Sequence, residues 1–211
     1  MSSKIRLALP KGRNLGPTLE AFRAAGSPLQ GIEKGDRRLR VEVPELGWEL
    51  LLLKDWDLPL YVEYGIADFG VVGSDVLEEV GGDLLVPARF THGRSRLSLI
   101  GRKGLPRPGE QVRLASKYPN IARAVLAHEP WGAEVLKLWG SVELGPLLDL
   151  AEVALDIVQT GRTLKENHLE ELVTVREVAP VLVVNRAAYQ QHRAELTDLI
   201  GRLEGAGMVE V

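Results

Sequence analysis

"ALDIVQTGRTLKENHL", residues 154–169, carries the first decision about the fold. It opens as an apolar run of strand character, passes one aspartate, breaks at Thr160, Gly161, Arg162 and Thr163, and resumes in a helical pattern. A strand that ends in a glycine loop and opens a helix turns free backbone N–H groups towards one point, and that point suits a phosphate. Gly161 lets the backbone come close, Thr160 and Thr163 add hydroxyls, Arg162 adds a cation, and Leu164 completes the stretch. Three or four such bonds at about 1.5 kcal/mol each total roughly 5–6 kcal/mol, a sub-millimolar affinity. A second reading needs no ligand, because Thr163, Leu164, Lys165 and Glu166 spell a capping box. Asp156 tilts the choice towards a ligand. An acid within an apolar strand is costly to bury without partners, and a sugar diol offers a carboxylate two donors.

Working outward, the alternation of short strands and helices continues in both directions. Towards the N-terminus, "IRLALP" reads as a strand and "NLGPTLEAFRAAG" as an amphipathic helix. "LRVEVP" and "WELLLLK" pair around a turn, "DLPLYVEYG" is helical, and "ADFGVVG" is a buried strand entering a helix with Ser74 as its N-cap. "LLVPARF" and "RLSLIGR" follow without a helix between them, then a second strand–helix series starts at "QVRLAS". "LVTVREVAPVLVVN" is apolar enough to cross back, and residues 186–204 form one closing helix. This grammar predicts an α/β fold with mostly parallel sheets. It divides into lobe I, residues 1–90 plus 182–211, and lobe II, residues 91–181, with a ligand cleft between them.

Composition narrows the function. The chain has no cysteine, which excludes disulfides, thiolate chemistry and thiolate metal sites, and its four histidines form no HxH or HxxxH pair. A net charge of -3 gives no global attraction for nucleic acid, so anion binding has to be local. No segment reaches the ~18 apolar residues of a membrane span, and the start "MSSKIRLALPKGR" lacks a signal-peptide core, so a cytoplasmic protein is expected. Walker A, GxGxxG and GxSxG patterns are missing.

Other constellations have two readings each. Lys11, Gly12 and Arg13 follow the first strand and either face a ligand or form a solvated loop. Glu143 sits in a strand-to-helix turn, where an acid also suits the helix dipole. Arg37 belongs to a basic cluster with Arg38 and Arg40, and Lys54, Asp55 and Asp57 lie beyond an apolar strand. "KYPN", residues 117–120, is a turn whose Tyr118 stacks on a base or packs.

Taken together and in order, "LALPKGR", "ADFGVVGSDVL", "LASKYPNIAR" and "GSVELGPLLDLAEVALDIVQTGRTL" resemble the catalytic subunit of the ATP phosphoribosyltransferase family, short form. The resemblance implies a two-lobed fold like type II periplasmic binding proteins. It implies condensation of ATP with phosphoribosyl pyrophosphate (PRPP), with Mg2+, to N1-(5-phosphoribosyl)-ATP and pyrophosphate, the first step of histidine biosynthesis. By this resemblance Asp156 and Glu143 hold the ribose hydroxyls, residues 160–164 anchor the 5-phosphate, and Lys11, Arg37 and Lys54 neutralise the leaving group. Gly12 and Arg13 belong to the same substrate-binding set. It further implies a homodimer of catalytic subunits and a regulatory subunit similar to histidyl-tRNA synthetase, with neither nucleic acid nor membrane as a partner. Two positions depart from the pattern: Lys54 stands where arginine is expected, and Asp149 where glycine is expected. A non-catalytic ligand-sensing module of the same fold, or a salvage transferase using a free base, are the competing readings.

Overall fold

The computed structural model describes residues 4–29, 32, 37–102 and 104–211. Ile5–Pro10 forms strand β1, and helix α1, Leu15–Ala24, buries a stripe of Leu15, Leu19, Ala21 and Phe22. β2 (Arg40–Val43) and β3 (Trp48–Leu53) make the expected antiparallel pair. Helix α2 (Leu58–Glu63) starts with Pro59 in its first turn, where no N–H is missed. β4 (Phe69–Gly73), α3 (Ser74–Val80) and β5 (Leu85–Phe90) follow. Then come β6 (Ser95–Gly101), β7 (Gln111–Ser116), α4 (Pro119–Leu126), β8 (Gly132–Lys137), α5 (Leu144–Leu147), β9 (Val153–Val158), α6 (Arg162–Glu166) and β10 (Glu170–Val178). The chain finishes with β11 (Pro180–Val184), α7 (Arg186–Gln191), α8 (Arg193–Gly205) and β12 (Val209–Glu210).

These elements form two compact units, Met1–Gly93 with Ala179–Val211, and Arg94–Val178. The sequence places the breaks at 90/91 and 181/182. The apolar run 172–185 is split at Ala179, so that β10 pairs with β6 in one sheet and β11 with β4 and β5 in the other.

The first unit holds a seven-stranded sheet in the order β12-β5-β11-β4-β1-β3-β2. One face packs Leu7, Leu9, Leu50 and Leu52 against Phe22, Leu199 and Leu203 of the helices, and the other packs Ala8, Leu51 and Val72 against Leu58 and Val62. Covering on both faces explains why β3 reads as an apolar run over residues 50–53 rather than an alternation. Each fully buried leucine contributes roughly 1.5–3 kcal/mol.

The second unit holds a five-stranded sheet in the order β10-β6-β9-β7-β8. Ile100, Ala115, Ala154 and Val158 cover one face together with Val142 and Leu164, which draws the starts of α5 and α6 down onto the strands.

Three expectations need correction. Among the described residues parallel pairing is limited to β3-β1-β4 and β8-β7-β9, and six of the ten strand pairs are antiparallel. Of these six, only β2 and β3 are consecutive strands, joined without an α-helix; the other five join strands separated in sequence by helices and further strands, so their direction follows the long-range topology rather than a local turn. Ser74 does not cap α3: pairing of Gly73 with Pro180 keeps Gly73 extended as the N-cap, and the Ser74 hydroxyl accepts from the Ala179 N–H at 3.3 Å. The closing segment is two helices, because His192 leaves helical geometry at φ -119 and is the residue from which α8 starts.

Candidate active site

In the second unit β9, β7 and β8 lie side by side and parallel, so their carboxyl ends share one edge of the sheet. In open α/β sheets that edge is where ligands bind. The end of β7 is pinned: the buried Ser116 hydroxyl donates to the Leu155 carbonyl at 2.8 Å and accepts from the Tyr118 N–H at 2.9 Å. This turn brings the Lys117 Nζ to 3.5 Å from Asp156 Oδ2. Asp156 is only 6% exposed. Its burial pushes the carboxyl above the ordinary aspartate range, Lys117 pulls it back, and Glu143 pushes it up again. Asp156, Lys117 and Glu143 therefore form one electrostatic group. Two residues after Glu143, Gly145 lies so close to Ala115 that a Cβ there would sit 2.8 Å from the alanine methyl.

The neighbouring loop takes the conformation its glycine allows. Gly161 has φ +70 and stands as the N-cap of α6, whose Leu164 is buried in the core below. Among the described residues nothing accepts from the N–H groups of Gly161, Thr163 or Leu164, while the Arg162 N–H reaches Thr160 Oγ1 at 3.4 Å. The capping box is not built: the helix starts at Arg162, no side chain caps it, and Glu166 instead accepts from Arg162 Nε at 2.7 Å. Thr160 and Thr163 are exposed, and the Arg162 guanidinium is turned along its own helix.

In the first unit the carboxyl ends of the parallel strands β1, β3 and β4 also share an edge. Lys11 is tied there by its N–H to the Leu53 carbonyl at 2.6 Å, and the Gly12 carbonyl accepts from Leu15 N–H at 3.3 Å where α1 begins. Lys11 and Lys54 line one groove of about 720 Å³ together with Leu39, Asp57, Tyr61 and Ile66. Arg13 is exposed and acts on Asp55, whose Oδ1 is buried without a hydrogen-bond partner; burial and the charge of Asp75 push that carboxyl up. Arg37 is exposed on the segment leading into β2.

Sequence reasoning singled out Tyr118 and passed over Lys117. Tyr118 is 5% exposed and packs. Lys117 becomes visible only through the register that sets Ser116 against Leu155, one residue before Asp156. A lysine directly after a strand that precedes an aspartate-bearing strand is the signal that finds it.

Comparisons with known proteins bear on this geometry. Residues 54–205 match the family described as HisG: ATP phosphoribosyltransferase. An ATP phosphoribosyltransferase of Deinococcus radiodurans is 43% identical over 199 residues, covering 94% of this chain and 89% of that protein. One from Sorangium cellulosum is 41% identical over 206 residues, covering 98% and 97%. Among solved structures, the ATP phosphoribosyl transferase (HisG:HisZ) complex from Thermotoga maritima superposes with a TM-score of 0.81 at 31% identity, covering 96% of this chain and 98% of that one. The periplasmic aliphatic sulphonate binding protein SsuA from Escherichia coli superposes with a TM-score of 0.61 at 9% identity over 96% of this chain and 72% of that one. Likeness at such low identity speaks of fold alone, and the fold is the type II periplasmic-binding-protein one that the sequence predicts.

Proposed function

The chain belongs to the ATP phosphoribosyltransferase family, and from that premise we propose that the carboxyl edge of β9, β7 and β8 is its PRPP site. The reaction joins ATP to PRPP, giving N1-(5-phosphoribosyl)-ATP and pyrophosphate, the first step of histidine biosynthesis. Membership makes the chain an enzyme rather than a sensing module of the same fold.

One observation carries the proposal: a buried carboxylate paired with lysine stands beside a glycine loop with three unused N–H groups. The loop from Thr160 to Leu164 receives the 5-phosphate, a remote handle whose binding energy positions C1 for in-line attack. Asp156 and Glu143 accept from the ribose hydroxyls and face the positive charge that grows on the sugar as the C1–O bond to pyrophosphate breaks and the bond from adenine N1 to C1 forms. At ~5 Å and an effective dielectric of ~20, one carboxylate contributes about 3 kcal/mol to that charge before desolvation, roughly a hundredfold in rate. Lys117 offsets part of the burial that raises the Asp156 carboxyl. Adenine N1 already holds a lone pair, so orientation matters more than a base.

By family resemblance, Lys11, Arg37 and Lys54 offset the charge of the departing pyrophosphate, and Gly12 and Arg13 belong to the same substrate-binding set. Mg2+ enters as part of the substrate, riding on pyrophosphate oxygens, in keeping with an ion that retains much of its water shell. The partner is a HisZ-like regulatory subunit, similar to histidyl-tRNA synthetase, a reading supported by the HisG:HisZ complex among the structural neighbours. Catalytic subunits pair as homodimers, and the site of action is the cytoplasm. Among the described residues no helix is long and apolar enough to cross a membrane.

Titrating PRPP into wild-type protein and Gly161→Val tests the site. At φ +70 a valine forces the loop to rearrange, so PRPP affinity should fall at least tenfold while ATP affinity stays within about twofold. Unchanged PRPP affinity in folded protein removes the loop from the site.

A further inference from the structure

Trp139 takes no part in either core. It is 80% exposed, more than any other large apolar side chain described, whereas Trp48 and Trp131 are buried. A tryptophan left this far in water is unusual, since its area is normally spent on packing or on a ligand. Its place is specific. β8 ends at Lys137 beside Ser116, and the Leu138 N–H continues the pairing with the Ser116 carbonyl at 2.9 Å. The residue directly after β7 is Lys117, which pairs with Asp156 on β9. Trp139 therefore leaves the same edge of the sheet, about two strand spacings, ~10 Å, from the proposed ribose site. Glu143 follows four residues later, and the half-exposed Leu144 stands directly beyond it.

The ring is already held on one side: the Lys137 Nζ lies 4.1 Å from its centroid. The opposite face is left for a flat, electron-rich partner. The nucleophile of the reaction is such a partner, a purine whose N1 has to meet C1 of the ribose. We propose that Trp139 stacks on the adenine of ATP and is a specificity-determining residue of this chain, with Lys137 fixing the ring from behind. This rests on the assignment of PRPP to the same edge. Stacking on a fixed ring orients N1 without any proton transfer, which suits a site whose reacting base needs direction rather than activation.

Steady-state kinetics of Trp139→Ala and Trp139→Phe, each with ATP and PRPP varied in turn, test the proposal. Trp139→Ala should raise KM for ATP about tenfold and leave KM for PRPP within about twofold, and Trp139→Phe should recover most of the loss. ATP should also quench wild-type tryptophan fluorescence more strongly than that of Trp139→Phe. Unchanged KM for ATP overturns the proposal, and so does an equal rise for both substrates, the mark of a merely structural role. Lost binding of the regulatory subunit with intact ATP kinetics overturns it too and makes the ring a docking contact. Failure of the underlying site reading looks different: Gly161→Val then leaves PRPP affinity intact whatever Trp139 does.

Discussion

The two units are built from similar elements but are stabilised differently. In the first, β1, β3, β4 and β11 are buried almost from end to end between helices, and Phe22, Phe69, Phe90, Leu7 and Leu50 are sealed. In the second, the flanking strands β8 and β10 are largely exposed, and arginine–carboxylate pairs tie strands and loops together. Arg96 grips Glu171 with two bonds of 2.8 and 2.7 Å, and Arg113 holds Glu152 at 2.7 Å. Both units bury carboxylates, Glu49 and Glu79 in the first and Asp156 in the second, where it stands at the carboxyl ends of the strands. The second sheet, with its open flanks, gathers Asp156, Lys117 and Glu143 at one carboxyl edge, the proposed substrate site.

The comparison breaks most visibly if the first unit does not depend on its core. Phe22→Ala removes a fully buried ring that meets Phe90 at 6.3 Å, and denaturant unfolding should show a loss of about 3–5 kcal/mol. Val173→Ala, on the exposed flank of the second sheet, should cost under about 1 kcal/mol. Equal losses would mean that both units rest on packing alone.

Asp156→Asn is next in size. Turnover should fall about a hundredfold, the kinetic equivalent of ~3 kcal/mol, while the folded state holds or gains stability. The sign follows from burial. It raises the carboxyl's pKa in the folded protein, so the fold binds the proton more tightly than the unfolded chain does, and stability declines as pH rises through that interval. A neutral side chain removes this cost. A drop in melting temperature together with unchanged turnover would make Asp156 structural.

Much of this division is legible in the sequence. The apolar runs over residues 50–53 of β3 and Pro180–Val184 of β11 announce strands covered on both faces, and Asp156 before a glycine loop announces the proposed site. Local patterns did not carry Lys117, because its meeting with Asp156 depends on the register of two strands 39 residues apart. Capping signals misled twice for the same reason. At Ser74 and Thr163 the sequence offers a good cap, but pairing of Gly73 with β11 and the left-handed Gly161 each start the helix one or two residues earlier. The share of antiparallel pairing is set by how strands distant in sequence meet, since five of the six antiparallel pairs join non-consecutive strands, a property of topology rather than of any residue.

Acid should loosen the second unit through its ion pairs. The bonds from Arg96 to Glu171 hold that carboxyl down to about 2, and Arg113 does the same for Glu152, also about 2. A depressed carboxyl supplies stability that is complete above the ordinary value near 4.5 and lost as pH falls towards 2. Both groups are partly in water, so screening leaves about 1 kcal/mol each. Melting temperature should fall between pH 5 and 3, and Glu171→Gln should start lower at pH 7 and converge with wild type near about pH 2–3. Parallel curves would show that Glu171 is not the titrating group.

The smallest effect tests whether the second unit's charges do more than decorate its surface. Asp149 has φ +56, a left-handed geometry that costs a non-glycine residue about 1 kcal/mol, less for aspartate than for most. Its carboxylate is exposed and pairs with Arg102, and its carbonyl accepts from Arg113 Nη2 at 3.1 Å. Asp149→Gly relieves the strain, forfeits an exposed pair worth ~0–1 kcal/mol and adds chain entropy to the unfolded state, so stability should stay within about 0.5 kcal/mol of wild type. Asp149→Ala keeps the strain and loses the pair, and it should fall about 1 kcal/mol below the glycine variant. If the two variants unfold at the same denaturant concentration, the backbone at 149 is unstrained. The aspartate at 149 would then be accounted for by its pair with Arg102 rather than by its backbone.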